Sequence, residues 1–365
     1  MTKFIKSLLI LINALVALSL LMVKIGTFVN PNTWIFPSYF SFFVFPLAFV
    51  NLFFLIFWSV LKKWWFLLPL SAFILFGRII TTSFPLHFSE NKVRNPETKI
   101  RILSYNTMSC GSMKEHSEEK ANPVIKYILD TDADVVCLQE FSLSENKNQF
   151  QEEDFQKYFK KYPYKHIKFK VNKWNMHQGV ATLSKYPIIN KQNIDYEAKV
   201  NLSIYSDILI GKDTVRVINN HMESNRITLR DMQETSHLAQ DFNSDKLSDM
   251  TKVFSEKISV ASKVRGAQAV KIYEVIKNTP YKLIVCGDFN DVPASYTYAK
   301  VKGNLHDSYC ENKAGLGWTF NRSFFRFRID YILHDNSFES NHYKRGDLKA
   351  SDHYPVQVDL YQKKD

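Results

Sequence analysis

A chain of 365 residues with a formal net charge of +11 is long enough for one large domain or two ordinary ones. The charge is lopsided, because residues 1–99 carry nine Lys/Arg against two Asp/Glu, leaving an excess of only +4 in the remainder. That near balance argues against a broad nucleic-acid-binding face on the larger part. The four cysteines, Cys110, Cys137, Cys286 and Cys310, have no metal-like spacing. They read as free thiols, with Cys137 and Cys286 inside apolar runs, and exclude a disulfide framework.

In chain order, Ser7 to Val23 is apolar apart from Ser and Asn, follows Lys3 and Lys6, and stops at Lys24. A cleaved signal peptide is the plain alternative, but the run is longer than a usual signal core and no small-x-small site follows. Tyr39 to Leu61 has no charge and is long enough to cross a hydrocarbon core of about 30 Å. Trp64 to Ile80 is a shorter candidate whose Arg78 can snorkel to an interface; its alternative is a buried helix of a soluble core. Residues 1–86 are therefore expected to be a membrane anchor with spans at 7–23, 39–61 and 64–80. Lys3 and Lys6 precede the first span, Lys62 and Lys63 separate the second and third, and the first connection has only Lys24. The positive-inside bias then puts the N-terminus in the cytoplasm and residue 90 onward outside it. Residues 87–99 are polar, contain Pro96 and read as a tether.

The remaining chain, 100–365, is rich in short apolar runs that end on polar residues. Ile100 to Asn106 alternates like a strand, and Ala121 to Thr131 carries a helical stripe at Val124, Ile125, Ile128 and Leu129. Asp134 to Glu140 and Gly179 to Ser184 read as further strands, and Thr214 to His221 delivers His221. Residues 225–257 are polar and charge-mixed, an insertion or helical excursion. An amphipathic helix follows from Val260 to Ile276. Leu283 to Cys286 is a strand buried on both faces, leading through Gly287 to Asp288 and Asn290 on one side of the chain. Leu305 to Tyr309 reads as a short edge element, Phe327 to Leu333 as a strand carrying Asp330, and Pro355 to Leu360 as the last strand, just after Asp352 and His353. Many strands without strict alternation with helices argue for stacked sheets flanked by helices.

Strands or their flanks thus present Asn106, Glu140, His221, Asp288, Asn290, Asp330, Asp352 and His353. Each has a bland explanation alone: strand-end Asn and Asp make turns, and a lone His is more often structural than catalytic. Together they are chemically coherent. Glu140, Asp352 and the Asn106 amide oxygen are hard ligands suited to Mg²⁺, and no Cys/His cluster suggests zinc. His221 and His353 supply a proton-transfer group and an oxyanion donor, while Asp330 or Asp288 orients an imidazole or a water. That is a kit for phosphoester hydrolysis.

The words Ser-Tyr-Asn106, Leu-Gln-Glu140, Gly-Val-Ala-Thr-Leu-Ser-Lys-Tyr-Pro187, Asn-His221, Gly-Asp288-Phe-Asn290, Arg328-Ile-Asp330-Tyr-Ile and Ser-Asp352-His353 occur in this order. Each is weak alone. Together they cover nearly all of residues 100–362, which resemble the endonuclease/exonuclease/phosphatase superfamily, here of a membrane-anchored bacterial type. The resemblance implies an α/β (α+β) fold, a four-layer sandwich of two packed mixed sheets with helices outside, and Mg²⁺-dependent (or Mn²⁺-dependent) cleavage of a phosphoester. It implies Glu140 as principal metal ligand helped by Asn106 and Asp352, and Asp288 as the residue that orients or activates the attacking water. Asn290 resembles a phosphate donor, His353 the histidine on the scissile phosphate with Asp330 as its partner, and His221 the second histidine. The usual Thr-His-Leu is Asn220-His221-Met222 here. Glu223 and Arg226 form a structural ion pair or touch substrate, and Arg265 and Gln268 read as packing residues.

The same core serves nucleic acids, lipid head groups and sugar phosphates, so the family does not choose the substrate. The expectation is an integral membrane protein with its catalytic domain on the extracytoplasmic (periplasmic) side, a phosphodiesterase or phosphatase with no protein partner. The alternatives are an extracytoplasmic nuclease and, in another class, a non-catalytic phosphate-head-group binding module.

Overall fold

The structure is a computed structural model that describes residues 2–88, 98–117, 119–173, 175–196, 198, 200–228, 231, 233, 234, 244–322 and 325–364. Two compact units emerge. Residues 89–97 of the expected tether lie outside the described residues, as does part of the polar stretch 225–257.

The larger unit comprises His87–Ser224, Ala267–Asn290 and Val301–Asp365. Its strands are β1 (Thr98–Asn106), β2 (Val135–Ser144), β3 (Tyr164–Lys173), β4 (Met176–Ser184), β5 (Ile188–Ile194), β6 (Leu202–Ile210) and β7 (Asp213–His221). They continue with β8 (Lys282–Asp288), β9 (His306–Asp307), β10 (Phe320–Arg322), β11 (Phe325–Phe327), β12 (Asp330–His334), β13 (Phe338–Arg345) and β14 (Val356–Gln362). One sheet has the order β13-β14-β1-β2-β4-β3 and the other β5-β6-β7-β8-β12-β9, while β10 and β11 form a separate hairpin. The pairs β1–β2 and β7–β8 are parallel at the sheet centres and the others antiparallel. Both sheets are mixed, as expected.

Central strands read as unbroken apolar runs because both their faces are covered. On the inner faces, Ile100, Ile102, Val135 and Cys137 of the first sheet join Val215, Val217, Ile284, Cys286 and Ile332 of the second in one core. Each such side chain contributes about 1.5–3 kcal/mol by leaving water. All four cysteines are free. The outer face of the first sheet takes Val124, Ile125 and Ile128 of helix Pro123–Asp130 against Leu103, Tyr105, Val136 and Leu138. That helix starts where it does because Asn122 accepts from the N–H groups of Val124 and Ile125, with Pro123 at its first position.

Between the sheets a polar tie sets the register of two functional strands. Gln139 Nε2 donates to Asn219 Oδ1 (2.7 Å), and Asn219 Nδ2 donates to the Ala181 carbonyl (3.0 Å). Glu140 is one residue from this tie and His221 two.

Several boundaries differ from expectation. The strand expected over Phe327 to Leu333 is divided, since Phe327 ends β11 and Asp330 begins β12. The helix expected from Val260 begins at Ser244 and runs to Lys277. Strands β3, β5, β6, β10 and β13 were not expected: β3, β5 and β13 are sheet edges, which lack a continuous apolar signature, β10 is three residues long, and the interior strand β6 is interrupted by Ser203, Ser206 and Asp207.

The smaller unit comprises Met1–Leu86, Asn225–Gly266 and Asp291–Lys300. Three stretches are long and apolar enough to cross a membrane: Lys3–Gly26 (24 residues), Phe36–Val60 (25) and Trp64–Ser83 (20). Within them, Leu20 packs with Ala72 and Phe76, and Val23 with Val44, Ile79 and Ala294. The opposite faces leave Leu11, Leu15, Leu18, Phe49, Phe53, Ile74 and Leu75 exposed. Helices apolar inside and out are those of a large protein core or of a membrane span. Asn51 Nδ2, buried among them, donates to the Pro69 carbonyl (3.0 Å).

The connection after the first of these helices is anchored within the same unit. Asn32 Nδ2 donates to the Lys263 carbonyl (2.7 Å) and Asn30 Nδ2 to Tyr296 Oη (3.4 Å). Arg265, expected to be a packing residue, is fully buried and does more. Its Nε donates to Asp291 Oδ2 (3.0 Å) and its Nη1 to Asn225 Oδ1 (3.0 Å), so one cation joins two segments far apart in the chain.

Candidate active site

The chain leaves β1 at Asn106, whose Oδ1 accepts from the Met108 N–H (3.1 Å). Its Nδ2 donates to Asp288 Oδ2 (3.0 Å) and, more weakly, to Glu140 Oε1 (3.4 Å). The amide therefore shows its nitrogen to the two acids, whereas the sequence suggested an oxygen ligand.

Glu140 does not end its strand. β2 continues to Ser144, and its pairing with β4 skips from Leu138 to Phe141, so Glu140 lies in a bulge. Its backbone has φ +49°, a left-handed conformation that costs about 1–3 kcal/mol in a non-glycine residue. The bulge turns the carboxylate out of the sheet. The Thr107 hydroxyl fixes the turn by donating to the Glu140 carbonyl (3.0 Å). Gln178 Nε2 lies 3.4 Å from Glu140 Oε2 and donates to Ser109 Oγ (2.7 Å).

His221 arrives at the end of β7 with Nε2 3.6 Å from Glu140 Oε1 and 3.2 Å from Asn201 Nδ2. Because Asn201 Nδ2 donates, His221 Nε2 accepts and the ring is neutral with its proton on Nδ1. Burial pushes the His221 pKa down, which agrees with that assignment.

β8 carries Asp288, and the step before it requires glycine. Gly287 has φ +124°, and a Cβ there would lie 2.1 Å from the Asn220 carbonyl oxygen on β7. Gly287→Ala is expected to destabilise the fold by about 3 kcal/mol or more, through both backbone strain and a clash between two central strands. A chemical-denaturation midpoint unchanged from the parent protein would refute this.

Beyond Asp288, Asn290 folds back. Its N–H donates to Asp288 Oδ1 (2.8 Å) and its Nδ2 to Asp288 Oδ2 (3.1 Å) and the Met222 carbonyl (2.9 Å). Asp330 opens β12 directly opposite Asp288. His353 completes the group, with Nδ1 2.9 Å from Asp330 Oδ2 and Nε2 3.7 Å from Asp288 Oδ2. Ser351 Oγ donates to the Asn106 carbonyl (2.9 Å) and accepts from the His353 N–H (3.1 Å), tying the last loop to the first strand.

Asn106, Glu140, His221, Asp288, Asn290, Asp330 and His353 are thus joined by an unbroken chain of contacts. Asp352 is placed by a different partner, Arg322 Nη1, 3.2 Å from Asp352 Oδ2. The Asp352 charge nevertheless contributes to raising the Glu140 pKa, after burial. Glu223 is buried, with its N–H on Gln268 Oε1 (3.0 Å), while Arg226 is exposed.

Electrostatics follow from burial. Burial raises the Glu140 pKa, opposed by the charge of His353. Asp288 is pushed up to about 6, first by burial, while His353 opposes the rise and Asp330 adds to it. For His353 burial alone would favour the neutral ring, but Asp330 and Asp288 outweigh it and raise the pKa to about 10. His353 is therefore an imidazolium at neutral pH.

Four carboxylates, at Glu140, Asp288, Asp330 and Asp352, gather around one buried imidazolium. Asp330 Oδ1 has no hydrogen-bond partner among the described residues, and both oxygens of Glu140 meet partners only at 3.4 Å or beyond. Such a surplus of hard, under-satisfied oxygen suits a divalent cation of the Mg²⁺ class. Asp288, Asp330 and His353 bring ligand-type atoms within 4.8 Å of one another. A protonated ring has no lone pair to offer, so with His353 charged this trio suits a hydrogen-bonded relay, and Glu140 and Asp352 are the acids left to hold a cation.

Sequence reasoning missed Gln178, Asn201, Ser109 and Arg322. Gln178 adjoins the Gly-Val-Ala-Thr-Leu-Ser run and was visible as its polar first neighbour; the other three sit in or beside segments without periodicity.

Residues 103–353 match the model of the Endonuclease/Exonuclease/phosphatase family. Residues 6–83 match that of a Domain of unknown function (DUF8431). No curated protein matches the chain. Among solved structures, an endonuclease/exonuclease/phosphatase from Beutenbergia cavernae is 16% identical, with a TM-score of 0.48 over 72% of each chain. Sphingomyelinase C from Streptomyces griseocarneus is 18% identical, with a TM-score of 0.44 over 72% of this chain and 99% of its own. The human Nocturnin catalytic domain is 16% identical, with a TM-score of 0.48 over 75% and 97%.

Proposed function

This chain belongs to the Endonuclease/Exonuclease/phosphatase family, and from that premise we propose that it is a membrane-anchored, Mg²⁺-dependent hydrolase of phosphoesters at the membrane surface. The observation that carries the reading is the convergence of Glu140, Asp288 and His353, from three separate strands or their flanks, into one contact network. Glu140 and Asp352 would hold the cation, with the Asn106 amide beside them, and a cation there would supply charge neutralisation at the phosphate. Asp288, held by three hydrogen bonds, orients the attacking water and takes its proton as a base with a pKa near neutrality. His353 presents an N–H from a ring charged at neutral pH to a developing oxyanion, and Asp330 keeps that ring charged and aimed. Asn290 and the neutral His221 add a donor and a proton-transfer group on the remaining sides.

The three apolar helices make the anchor. If Lys3, Lys6, Lys62 and Lys63 mark the cytoplasmic side, the connection holding Asn30 and Asn32 lies on the other side, as does everything after the third span. The bonds from Asn32 to Lys263 and from Asn30 to Tyr296 support this, because groups that touch share one side of a bilayer. An anchored enzyme facing outward meets lipid head groups before chromosomal nucleic acid.

The test is hydrolysis by the full chain in detergent micelles or vesicles. The substrates are bis(p-nitrophenyl) phosphate, phospholipids including sphingomyelin, inositol phosphates, and plasmid and oligonucleotides, each with Mg²⁺, Mn²⁺ or EDTA. Turnover of a lipid-linked phosphoester that EDTA abolishes is expected. Cleavage confined to plasmid and oligonucleotides would replace it by the nuclease reading, and binding without turnover, indifferent to EDTA, by a receptor.

A further inference from the structure

Arg322 is the one described cation at this site that the family roles leave unused. It ends β10, a strand fastened to the last catalytic loop from several directions. Phe320 forms a β-bridge with His353 and lays its ring edge-on to that imidazole, with centroids 5.1 Å apart. The Asn321 N–H donates to the Asp352 carbonyl (2.9 Å), and Asn321 Nδ2 donates to Tyr354 Oη (2.7 Å). The Tyr354 N–H donates to the Thr319 carbonyl (2.7 Å). The backbone that aims Arg322 is thereby as fixed as the pair Asp352–His353 itself.

The side chain is not. Its guanidinium has five N–H donors, yet among the described residues it makes a single ion pair, Nη1 to Asp352 Oδ2 at 3.2 Å, and the side chain is 35% exposed. A structural Arg–carboxylate pair uses the bidentate fork, as Arg216 does with Asp207 at 2.7 and 2.9 Å. Its ion pair with Asp352 and the bridge from Phe320 to His353 set Arg322 at the edge of the catalytic group. It stands where a cation is needed before a metal arrives, with most of its donors uncommitted.

We propose that Arg322 is a substrate-binding residue that occupies Asp352 in the resting site, yields it to the divalent cation, and then binds the non-bridging oxygens of the substrate phosphate. This rests on the hydrolase reading above. It requires two effects of opposite sign. Removing Arg322 frees Asp352 from a competing cation, so metal binds more tightly, while the phosphate loses a donor and binds more weakly. A residue that merely braced the hairpin would weaken both.

The experiment measures Mn²⁺ binding to the full chain by titration, and competitive inhibition by inorganic phosphate of bis(p-nitrophenyl) phosphate hydrolysis, for the parent protein, Arg322→Gln and Arg322→Lys. Arg322→Gln is expected to lower the Mn²⁺ dissociation constant several-fold and to raise the phosphate inhibition constant and KM about tenfold, with a smaller change in kcat. Arg322→Lys should recover part of the phosphate effect, since it keeps the charge without the fork. Mn²⁺ affinity unchanged or weakened in both variants, or phosphate inhibition equal to the parent's, overturns the proposal. The lysine variant keeps the comparison decisive if the glutamine variant fails to fold. A parent protein that binds Mn²⁺ but hydrolyses nothing defeats the hydrolase reading, and the Mn²⁺ titration then decides the displacement of Arg322 separately.

Discussion

Glu140→Gln is expected to lower kcat by about a thousandfold or more, roughly 4 kcal/mol of lost transition-state stabilisation, while leaving the protein as stable as before or more so. The two halves of that outcome have one cause. Glu140 is an acid whose ionised form is disfavoured by burial, and its oxygens find no partner closer than 3.4 Å. A neutral isostere removes that electrostatic penalty together with the ligand charge a divalent cation needs. The left-handed backbone at the bulge stays, because glutamine bears it no better than glutamate. Steady-state rates at saturating Mg²⁺ and thermal denaturation in EDTA measure the two separately. A variant that lost activity and melted much lower would show Glu140 to be a structural residue, and one that kept full activity would remove it from the metal site.

The positions of most functional groups were legible in the chain because they sit at the ends of central strands. A parallel strand covered on both faces must be apolar, so the first polar residue after the run stands out, and Asp288 obeys that rule; Asn106 and His221 also end their strands, behind Ser104 and behind Asn219 and Asn220. Glu140 stood out for a different reason than the one inferred. It interrupts an apolar run that continues to Ser144, and the interruption is a bulge, which composition alone does not distinguish from a strand end. Arg322 and Asn201 were invisible. Their roles depend on which loop folds against which strand, and neither lies in a periodic segment. The Arg265 link was half visible, as a charged residue on an apolar helix face, but its partners Asn225 and Asp291 are set by tertiary folding. The three long apolar helices were the most legible part of all, since an uninterrupted apolar run of that length is read directly from the chain.

Asp330→Asn is expected to reduce kcat/KM by roughly 10² to 10⁴ and to shift the alkaline limb of its pH profile toward lower pH. Asp330 is the first of the charges that hold the His353 pKa up against burial, reaching about 10. With an amide there, the ring keeps a hydrogen-bond partner but loses the adjacent negative charge, so it gives up its proton at lower pH. The sign is unambiguous for an electrophilic role: activity requires the imidazolium, is present below the His353 pKa and fades as pH rises through it. On the proposed mechanism the acid limb is expected from Asp288, which must ionise to serve as base and whose pKa is pushed up to about 6. A divalent cation held beside these groups would lower both limbs. The linkage to stability has the same direction. A histidine whose folded pKa exceeds its ordinary 6.5 contributes stability fully below that value and loses it as pH rises through about 10, so the metal-free parent protein should weaken toward alkaline pH more steeply than Asp330→Asn. Profiles of kcat/KM from pH 5 to 10, with denaturation midpoints in EDTA over the same range, test both statements. An alkaline limb left in place would mean that His353 works as a neutral base, and the division of labour between Asp288 and His353 would have to be reversed.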